Sequence, residues 1–267
     1  MISYAQNFED VLLERVFKNQ ETGFWIDVGA WDDTLDSVTK HFYDKGWRGV
    51  NVEPVPSYWQ KLEQGRPRDT NLNIALLDKV GATIFYEIPG TGLSTFDRQQ
   101  AARHRENGFD VHEREVEVGT LALICPQHAE HRPIDFLKLD TEGTELKVLQ
   151  GGDWKRFRPR VVIIEATQPC SPKPTHHVWE PFLLDQGYLL AYFDGLNRFY
   201  VREEEPQLMS HFTVPVNAFD EFVPYRAALA EDQIAVLEKR LKSAMRKADE
   251  YVHARRTLIG KMLIRAL

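Results

Sequence analysis

Short apolar runs recur along the chain, and segments with helical spacing of apolar residues lie between several of them. Two of the runs, residues 134–140 and 161–166, are apolar nearly throughout, as expected for strands that are covered on both faces of a sheet. Strands that alternate with amphipathic helices predict an α/β fold with a mostly parallel sheet. The other predicted strands are residues 24–29, 49–53 and 71–77.

Capping signals and apolar periodicity predict the helices. Asp33 and Thr34 offer N-cap oxygens, apolar residues follow at helical spacing, and Gly46 ends the pattern, so we expect a helix over this stretch. Further helices are predicted over residues 57–63, 142–149 and 179–186.

Two pairs of runs predict hairpins. Residues 71–77 and 82–88 are separated by a short turn and are expected to pair. Residues 187–201 contain two strand-like runs about a glycine turn, which predicts an antiparallel hairpin that closes the sheet. The polar stretch 89–119 is predicted to be an insertion over one end of the sheet, where loops often carry function.

The composition changes from about Ala227, where apolar residues follow alternating steps of three and four and predict one long helix. From Glu231 onward the chain holds nine Lys or Arg against five Asp or Glu, a balance of +4; the total is −7, so the rest carries −11. Such a helix can pack on the protein, pair with another chain or lie on an anionic membrane, and its short seam favours packing or homo-oligomerisation. The expected division is a domain of residues 1–225 and a helical extension of residues 226–267. The seam positions are Ile234, Leu237, Leu241, Ala244, Ala248, Tyr251, Arg255, Leu258 and Met262.

Composition narrows the class of protein. The chain has 267 residues, of which 43% are hydrophobic and 27% charged, which is typical of a globular protein and excludes a disordered or fibrous one. The negative net charge argues against a nucleic-acid partner. Two cysteines, Cys125 and Cys170, cannot build a disulfide framework or a structural zinc site, which favours a reducing, cytoplasmic compartment. No apolar run is long enough for a transmembrane segment, and residues 1–10 lack a signal-peptide pattern, so neither is expected.

The segments FWIDVGAW and GVNVEP indicate a nucleoside site. Gly29 directly follows the first strand and lets a ligand approach the backbone, while Glu53 ends the second strand and can accept hydrogen bonds from ribose hydroxyls. The alternative is that Gly29 only turns the chain and Glu53 only ends a strand. The loop after Gly29 has two carboxylates and no further glycine, so it disfavours a pyrophosphate and suits the cationic S-adenosylmethionine. Asp27 is placed to anchor the methionine ammonium, either directly or through water.

A second segment, DFLKLDTEGTE, places Asp140 at the end of a buried strand and Glu142 and Glu145 at the start of the next helix. Acidic residues in a first helical turn also stabilise the helix, so a structural role for both glutamates is the alternative. Parallel strands end at the same edge of the sheet, where Asp27, Glu53, Asp140 and Glu165 would all project. Such a carboxylate cluster is costly without a cation or a ligand.

Taken together, the motifs resemble the FkbM-type S-adenosylmethionine-dependent methyltransferases. The resemblance spans about residues 1–202 and is carried by SYAQNFEDVLL, FWIDVGAW, GVNVEP, DFLKLDTEGTELKVLQG and VVIIEA. It implies a class I methyltransferase fold (Rossmann-like) and O-methylation, commonly of a sugar. GLSTF and YFDGLNRFYV look like a subgroup associated with bacterial surface glycans. Trp31 departs from the small residue or Asn usual after Gly-Ala.

The resemblance also implies roles for individual residues. Asp140 would lie near the transferred methyl group with Glu142 beside it. An N-terminal motif containing Gln6, Glu9 and Asp10 would fold over the site; the alternative is that Glu9 and Asp10 are solvated residues at a helix start. Glu165 is a further candidate for binding the acceptor. Either Asn73 or Asp78 would reach the adenine. The cofactor-binding set is Asp27, Gly29, Ala30, Glu53, Asn73, Asp78 and Asp140.

The implied reaction is an in-line transfer in which the protein aligns the acceptor hydroxyl and removes its proton. Asp140 or Glu142 is the first candidate for the base, and His176 or His177 the second. A divalent ion among the carboxylates is an alternative, but the sequence has no metal-binding spacing and no metal is expected. The leading hypothesis is a saccharide acceptor; the alternatives are a small metabolite such as a polyketide hydroxyl, and a non-catalytic cofactor- or glycan-binding module that assembles through its C-terminal helix.

Overall fold

The computed structural model describes residues 1–265 as two compact units. The larger unit is Ser3–Phe222, and the smaller combines Met1–Ile2 with the chain from Val223 onward. The elements in chain order are β1 (Ile2–Ser3), α1 (Glu9–Phe17), β2 (Phe24–Val28), α2 (Lys40–Asp44), β3 (Arg48–Val52), α3 (Pro56–Gly65), β4 (Thr70–Leu72), β5 (Ala75–Leu76), β6 (Gly81–Glu87), α4 (Arg98–Glu106), β7 (His112–Gly119), α5 (Leu121–His128), β8 (Phe136–Leu139), α6 (Glu145–Gln150), β9 (Val161–Glu165), α7 (Glu180–Asp185), β10 (Tyr188–Phe193), β11 (Asn197–Arg202), β12 (Val223–Pro224) and α8 (Tyr225–Arg265).

The main sheet of the larger unit has the strand order β10-β11-β9-β8-β2-β3-β4. Strands β4, β3, β2, β8 and β9 pair in parallel, and β11 and β10 close the sheet as an antiparallel hairpin. The mixed α/β fold class and the closing hairpin are therefore confirmed. The chain proceeds from β2 outward to β3 and β4, and later returns to β8 on the other side of β2. A reversal of this kind opens a crevice at the carboxyl ends of the two central strands.

The central strands are buried on both faces because successive side chains point to opposite layers. Ile26 and Val28 pack in one hydrophobic cluster, whereas Trp25 packs in the other with Phe136. Helices or loops cover each layer, which accounts for apolar runs without a polar face.

A smaller sheet has the order β5-β7-β6, and it overturns the predicted hairpin of residues 71–77 with 82–88. Strand β7 lies between the two, parallel to β5 and antiparallel to β6, while β4 joins the main sheet. The signal for β7 is concealed in the sequence HEREVEVG because its first residues are charged and exposed; only Val116 and Val118 are buried apolar residues.

The helix predicted from Asp33 or Thr34 begins only at Lys40. Asp32 Oδ1 instead accepts hydrogen bonds from the backbone N–H groups of Thr34 and Leu35, which forms a turn. The fully buried Arg66 holds this loop, since its Nε donates to the Asp33 carbonyl and its guanidinium also reaches Ser37. A distant arginine therefore decides the local structure.

Helix α8 of the smaller unit runs for 41 residues. Its seam residues Ile234, Leu237 and Leu241 are 56%, 61% and 60% exposed. The predicted seam positions Leu258 and Met262 lie outside the described side chains. Within residues 1–265, no helix combines the length and the apolarity that crossing a membrane requires.

Candidate active site

Two adjoining cavities lie at the carboxyl ends of the central strands. The first, here called the apolar cavity, includes Val52, Glu53 and Tyr58 in its wall. The second, the carboxylate cavity, is lined by Lys138 and Glu165 among others. The residues that line both cavities are Gly29, Trp31, Gly92, Asp140 and Glu142. One ligand can therefore extend from the apolar cavity to the carboxylates.

Gly29 is required where the ends of β2 and β8 meet. Its φ is +84°, and a Cβ at this position would lie 1.8 Å from the carbonyl oxygen of Asp140. Both the left-handed backbone and the close approach exclude other residues. The neighbouring Ala30 is buried and lines the carboxylate cavity.

Glu53 is buried at the end of β3, in the wall of the apolar cavity. Its Oε1 accepts from the Val55 N–H at 2.7 Å and its Oε2 from the Trp31 N–H at 3.0 Å. Burial raises the pKa of Glu53 to about 7 although these two hydrogen bonds lower it. Each oxygen can accept a further hydrogen bond, which is what a ribose diol requires.

The two residues expected at the adenine lie outside the walls of both cavities. The Asn73 side chain donates to the carbonyl oxygens of Glu53 and Pro54, at 2.9 and 3.1 Å. It therefore fixes the turn after β3. Asp78 is exposed, two residues beyond β5. The expected contact of either residue with adenine has no support in this arrangement.

Aromatic residues that the sequence did not single out complete the apolar cavity. Phe85 comes from β6, and Phe96 comes from the segment that follows it. Their rings pack together at 4.6 Å between centroids, and Trp31 packs edge-on against Tyr58 at 6.1 Å. The segment GTGLSTF, residues 90–96, carried a signal for this wall, because the sequence resemblance already included it.

Lys138 is the principal site residue that the sequence reasoning missed. It lies inside β8, and its ammonium group is 3.3 Å from Asp140 Oδ2 and 3.6 Å from Asp27 Oδ1. It also donates to the Gly29 carbonyl oxygen at 3.0 Å. Although burial opposes its charge, Asp140 and Asp27 raise the pKa of Lys138 above its ordinary value. A lysine in an otherwise apolar strand was the available signal.

Asp27 is 2% exposed and does not line either cavity. Burial raises its pKa, which Lys138 and Arg66 lower. Asp27 Oδ2 accepts a hydrogen bond from Thr39 Oγ1 at 3.5 Å. Asp27 therefore lies behind Lys138 and positions the lysine, and its role as an anchor of the methionine ammonium stays a prediction.

Asp140 and Glu165, two of the four strand-end carboxylates that the sequence predicted to cluster, come together with Glu142. They offer oxygens that all lie within 4.8 Å of one another. Burial, together with neighbouring carboxylates, raises the pKa of Glu142 to about 9 and that of Glu165 to about 11. Such oxygens can hold a hard divalent cation or share protons. With Lys138 beside Asp140, protons on the two glutamates leave the cluster with no excess charge.

The sequence predicted that Glu142 opens helix α6, but the helix begins at Glu145. Glu142 adopts a left-handed backbone with φ of +52°, and its Oε2 has no hydrogen-bond partner in the described chain. Glu145 Oε1 accepts from the N–H groups of Thr141 and Gly143 and thereby shapes this turn. The turn directs Glu142 to both cavities, and Glu145 has the structural role.

The residues of the N-terminal motif also differ in their roles: one lines a cavity, and the others hold the surrounding structure. Gln6 lines the carboxylate cavity. Asp10 is fully buried and accepts from Ser3 Oγ at 2.6 Å and the Tyr4 N–H at 2.8 Å, so its carboxylate holds the N-terminal segment and not an acceptor. Glu9 is also buried and accepts from Asn197 Nδ2 at 2.7 Å.

His176 lies in a short 3-10 turn, His176–Val178, and does not line either cavity. Burial, followed by the nearby Arg198, lowers its pKa. His177 is exposed and lies equally outside the two walls. The Pro-rich loop that carries them contributes earlier residues, including Thr167 and Gln168, to the carboxylate cavity.

The comparisons with known proteins agree with this arrangement. Residues 27–190, more than half of the chain, match the methyltransferase FkbM domain. No curated protein gives a significant match. The matched range contains the end of β2 and all of β3, β8 and β9, and therefore the carboxyl-end residues of both cavities. The chain belongs to the FkbM methyltransferase family.

Proposed function

We propose that this protein is an S-adenosylmethionine-dependent O-methyltransferase of the class I fold, which transfers a methyl group to a hydroxyl of a saccharide. The observation that carries the proposal is the pair of joined cavities. In the apolar cavity, the buried Glu53 can accept hydrogen bonds from the hydroxyl groups of a ligand. The carboxylate cavity has three carboxyl groups at its base.

The residues present fit this cofactor. Glu53 would accept the ribose hydroxyls, Tyr58 and Phe85 would contact the adenine, and the acidic side chain of Asp140 would face the cationic end. The loop after Gly29 has two carboxylates and lacks the glycines of a pyrophosphate site, which disfavours a dinucleotide. S-adenosylmethionine supplies an electrophilic methyl group when bound.

The chain's own contribution is to position the acceptor and move one proton. Asp140 is the residue proposed to accept the hydroxyl proton, because the ammonium group of Lys138 stabilises its negative charge. Glu142 and Glu165, protonated at neutral pH by their raised pKa values, would donate hydrogen bonds to neighbouring acceptor oxygens. Trp31 and the segment of residues 91–96 would exclude water from the site.

The lining of the carboxylate cavity supports a polyhydroxylated acceptor. Gln6, Thr167 and Gln168 offer amide and hydroxyl groups, each of which can donate or accept a hydrogen bond. A polyketide-type hydroxyl is the alternative acceptor. A sugar of a bacterial surface glycan or of its precursor is the class we propose, on the sequence resemblance to that subgroup.

Helix α8 supports a second proposal, that copies of the chain associate through its seam. Ile234, Leu237 and Leu241 are exposed apolar residues at heptad-like spacing. A module that only assembles and does not catalyse would use the same helix. We also propose a cytoplasmic location, since both cysteines are free thiols.

Calorimetric titration tests the cofactor. We expect micromolar binding of S-adenosylmethionine and S-adenosylhomocysteine, its loss in Glu53→Ala, and no competition by NAD. Methyl transfer from labelled cofactor to monosaccharides, oligosaccharides and phenolic or macrocyclic alcohols then tests the acceptor class. Absence of cofactor binding would contradict the methyltransferase proposal and favour the assembly module; transfer only to non-sugar alcohols would contradict the saccharide.

A further inference from the structure

A third cavity, here called the α4 cavity, opens beside the carboxylate cavity. Helix α4 forms one wall, and the loop that begins at Thr167 forms the other. Thr167, Gln168 and Pro169 line both this cavity and the carboxylate cavity. A ligand that reaches the carboxylates can therefore continue into the α4 cavity.

The residues that α4 presents to this cavity lie on one helical face. Gln100, Arg103, His104 and Asn107 follow the spacing i, i+3, i+4 and i+7. A face with this spacing is ordinarily apolar, because it packs on a core. Here the four side chains are polar and line a cavity: Arg103 and Asn107 are exposed, whereas Gln100 is half-buried and His104 is buried, where an apolar residue is the usual choice.

His104 indicates that this face binds a polar ligand. His104 is only 8% exposed, and its Nε2 has no hydrogen-bond partner among the described residues. Its ring packs edge-on against Phe109, at 5.6 Å between centroids, which fixes its orientation. A buried nitrogen without a partner costs free energy, so a ligand group that bonds to it is favoured.

The chemistry of the lining selects the class of ligand. The amides of Gln100, Asn107 and Gln168 and the imidazole of His104 can each donate and accept. The single cation, Arg103, is matched by the carboxylates of Asp97 and Glu145 in the same wall, which disfavours a phosphate or another strong anion. Mixed donors and acceptors without excess positive charge fit the hydroxyl groups of a sugar.

We infer that the α4 cavity is a second acceptor subsite, which binds the sugar unit next to the one that is methylated. The inference rests on the proposed methyltransferase function, since it takes the carboxylate cavity as the site of reaction. The acceptor is accordingly a saccharide of two or more units, and a free monosaccharide fills only half of the site.

Direct binding can be measured without catalysis. The protein with histidines labelled in the ring and with S-adenosylhomocysteine added is titrated with hexose, deoxyhexose and uronic-acid monosaccharides, and with their di- and trisaccharides. The His104 resonance is assigned by its loss in His104→Gln. We expect at least one oligosaccharide to shift this resonance and the monosaccharides to leave it in place. No shift with any member of the set, or the same shift with monosaccharides, would overturn the inference.

Kinetics give the second measurement, with exposed positions that leave the fold intact. Arg103→Ala and Asn107→Ala should each lower kcat/KM for an oligosaccharide about 10-fold, the equivalent of about 1.4 kcal/mol, and leave kcat/KM for the monosaccharide unchanged. Arg98→Ala, on the same helix but outside the cavity, is the matched control. Equal losses for both acceptors would contradict a second subsite. A protein that transfers no methyl group at all would contradict the proposed function, whereas the histidine titration would still decide whether the α4 cavity binds sugar.

Discussion

Lys138 Nζ lies 3.3 Å from Asp140 Oδ2, inside the edge of the sheet where the two cavities meet. The pair places a positive charge beside one carboxyl group of the cluster, whereas burial and neighbouring carboxylates raise the pKa values of the other two, Glu142 and Glu165. Asp140 is therefore the member of the cluster best placed to accept a proton.

Replacement of Asp140 by Asn should lower kcat by about 100- to 10,000-fold, the usual contribution of a positioned general base. The amide keeps the shape of the side chain but cannot accept the proton. The affinity for S-adenosylhomocysteine, which lacks the sulfonium charge, should fall much less than kcat when it is measured by calorimetry. Asp185→Asn, an exposed change on α7, serves as the control, and near-normal turnover of Asp140→Asn would assign the base elsewhere.

Replacement of Glu53 by Gln should weaken S-adenosylmethionine binding about 10- to 100-fold, equivalent to about 1.4 to 2.8 kcal/mol. The neutral amide has one acceptor oxygen, which cannot serve two backbone N–H groups and two ribose hydroxyls. Since the pKa of Glu53 is raised to about 7 by burial, the wild-type affinity should increase from pH 6 to pH 8 as the carboxylate ionises. The variant should lose this dependence, whereas Glu63→Gln on the exposed side of α3 should keep it. A pH profile that is the same in both proteins would remove Glu53 from the cofactor site.

Stability should fall as pH rises above about 5. Burial and the neighbouring carboxylates raise the pKa of Glu165 from 4.5 to about 11, so the folded state binds the proton more tightly than the unfolded chain between these values. The stabilising proton is fully present below the unfolded pKa and is lost as pH approaches the folded one. Glu165→Gln imitates the protonated form and should raise the Tm at pH 8 by several degrees, at about 2–4 °C per kcal/mol, with little effect at pH 5.

The control for that measurement is Glu115→Gln, on the exposed side of β7. It should change Tm equally little at both pH values. A Tm of Glu165→Gln that falls with pH as steeply as the wild type would show that residue 165 does not carry the proton.

Methyl transfer should persist after removal of divalent cations. Protons on Glu142 and Glu165 and the ammonium group of Lys138 already balance the three carboxyl groups, so a metal ion is not needed to hold them together. The measurement is turnover after exhaustive treatment with EDTA, followed by addition of Mg²⁺ or Mn²⁺. Loss of activity that either ion restores would establish a metal site among these oxygens.

Truncation after Tyr225 should reduce the mass measured by light scattering from that of an oligomer to that of a monomer. Binding of S-adenosylhomocysteine should be retained. The removed helix exposes an apolar seam that a second helix would cover. Leu237→Glu with Leu241→Glu in the full-length chain should have the same effect by placing charge in the seam. If all three proteins scatter as monomers, the seam does not mediate association.

The sequence predicted the central strands well, because strands that are buried on both faces consist mainly of apolar residues. Val161–Glu165 is such a strand, and the carboxylates at the strand ends follow from the topology alone. The sequence failed where a distant residue decides the local structure, as Arg66 does for the loop of residues 33–39. It also failed to predict Phe85 and Phe96 as a cavity wall, because the partner that brings them there, β7, has little apolar signal. Lys138 stands out in the sequence as a charge in an apolar strand. The sequence does not show that the pairing of β2 with β8 brings it next to Asp27.

The hydroxyl group of Tyr58 should limit the rate of cofactor exchange. Its hydroxyl donates to the Thr91 carbonyl oxygen at 3.3 Å and accepts from the Gly90 N–H at 2.9 Å, so one phenolic oxygen holds the segment that covers the apolar cavity. When that segment moves away, both bonds break together, and dissociation of the spent cofactor should depend on this single group. Tyr58→Phe therefore separates product release from chemistry: it should accelerate release and leave the rate of a single turnover unchanged.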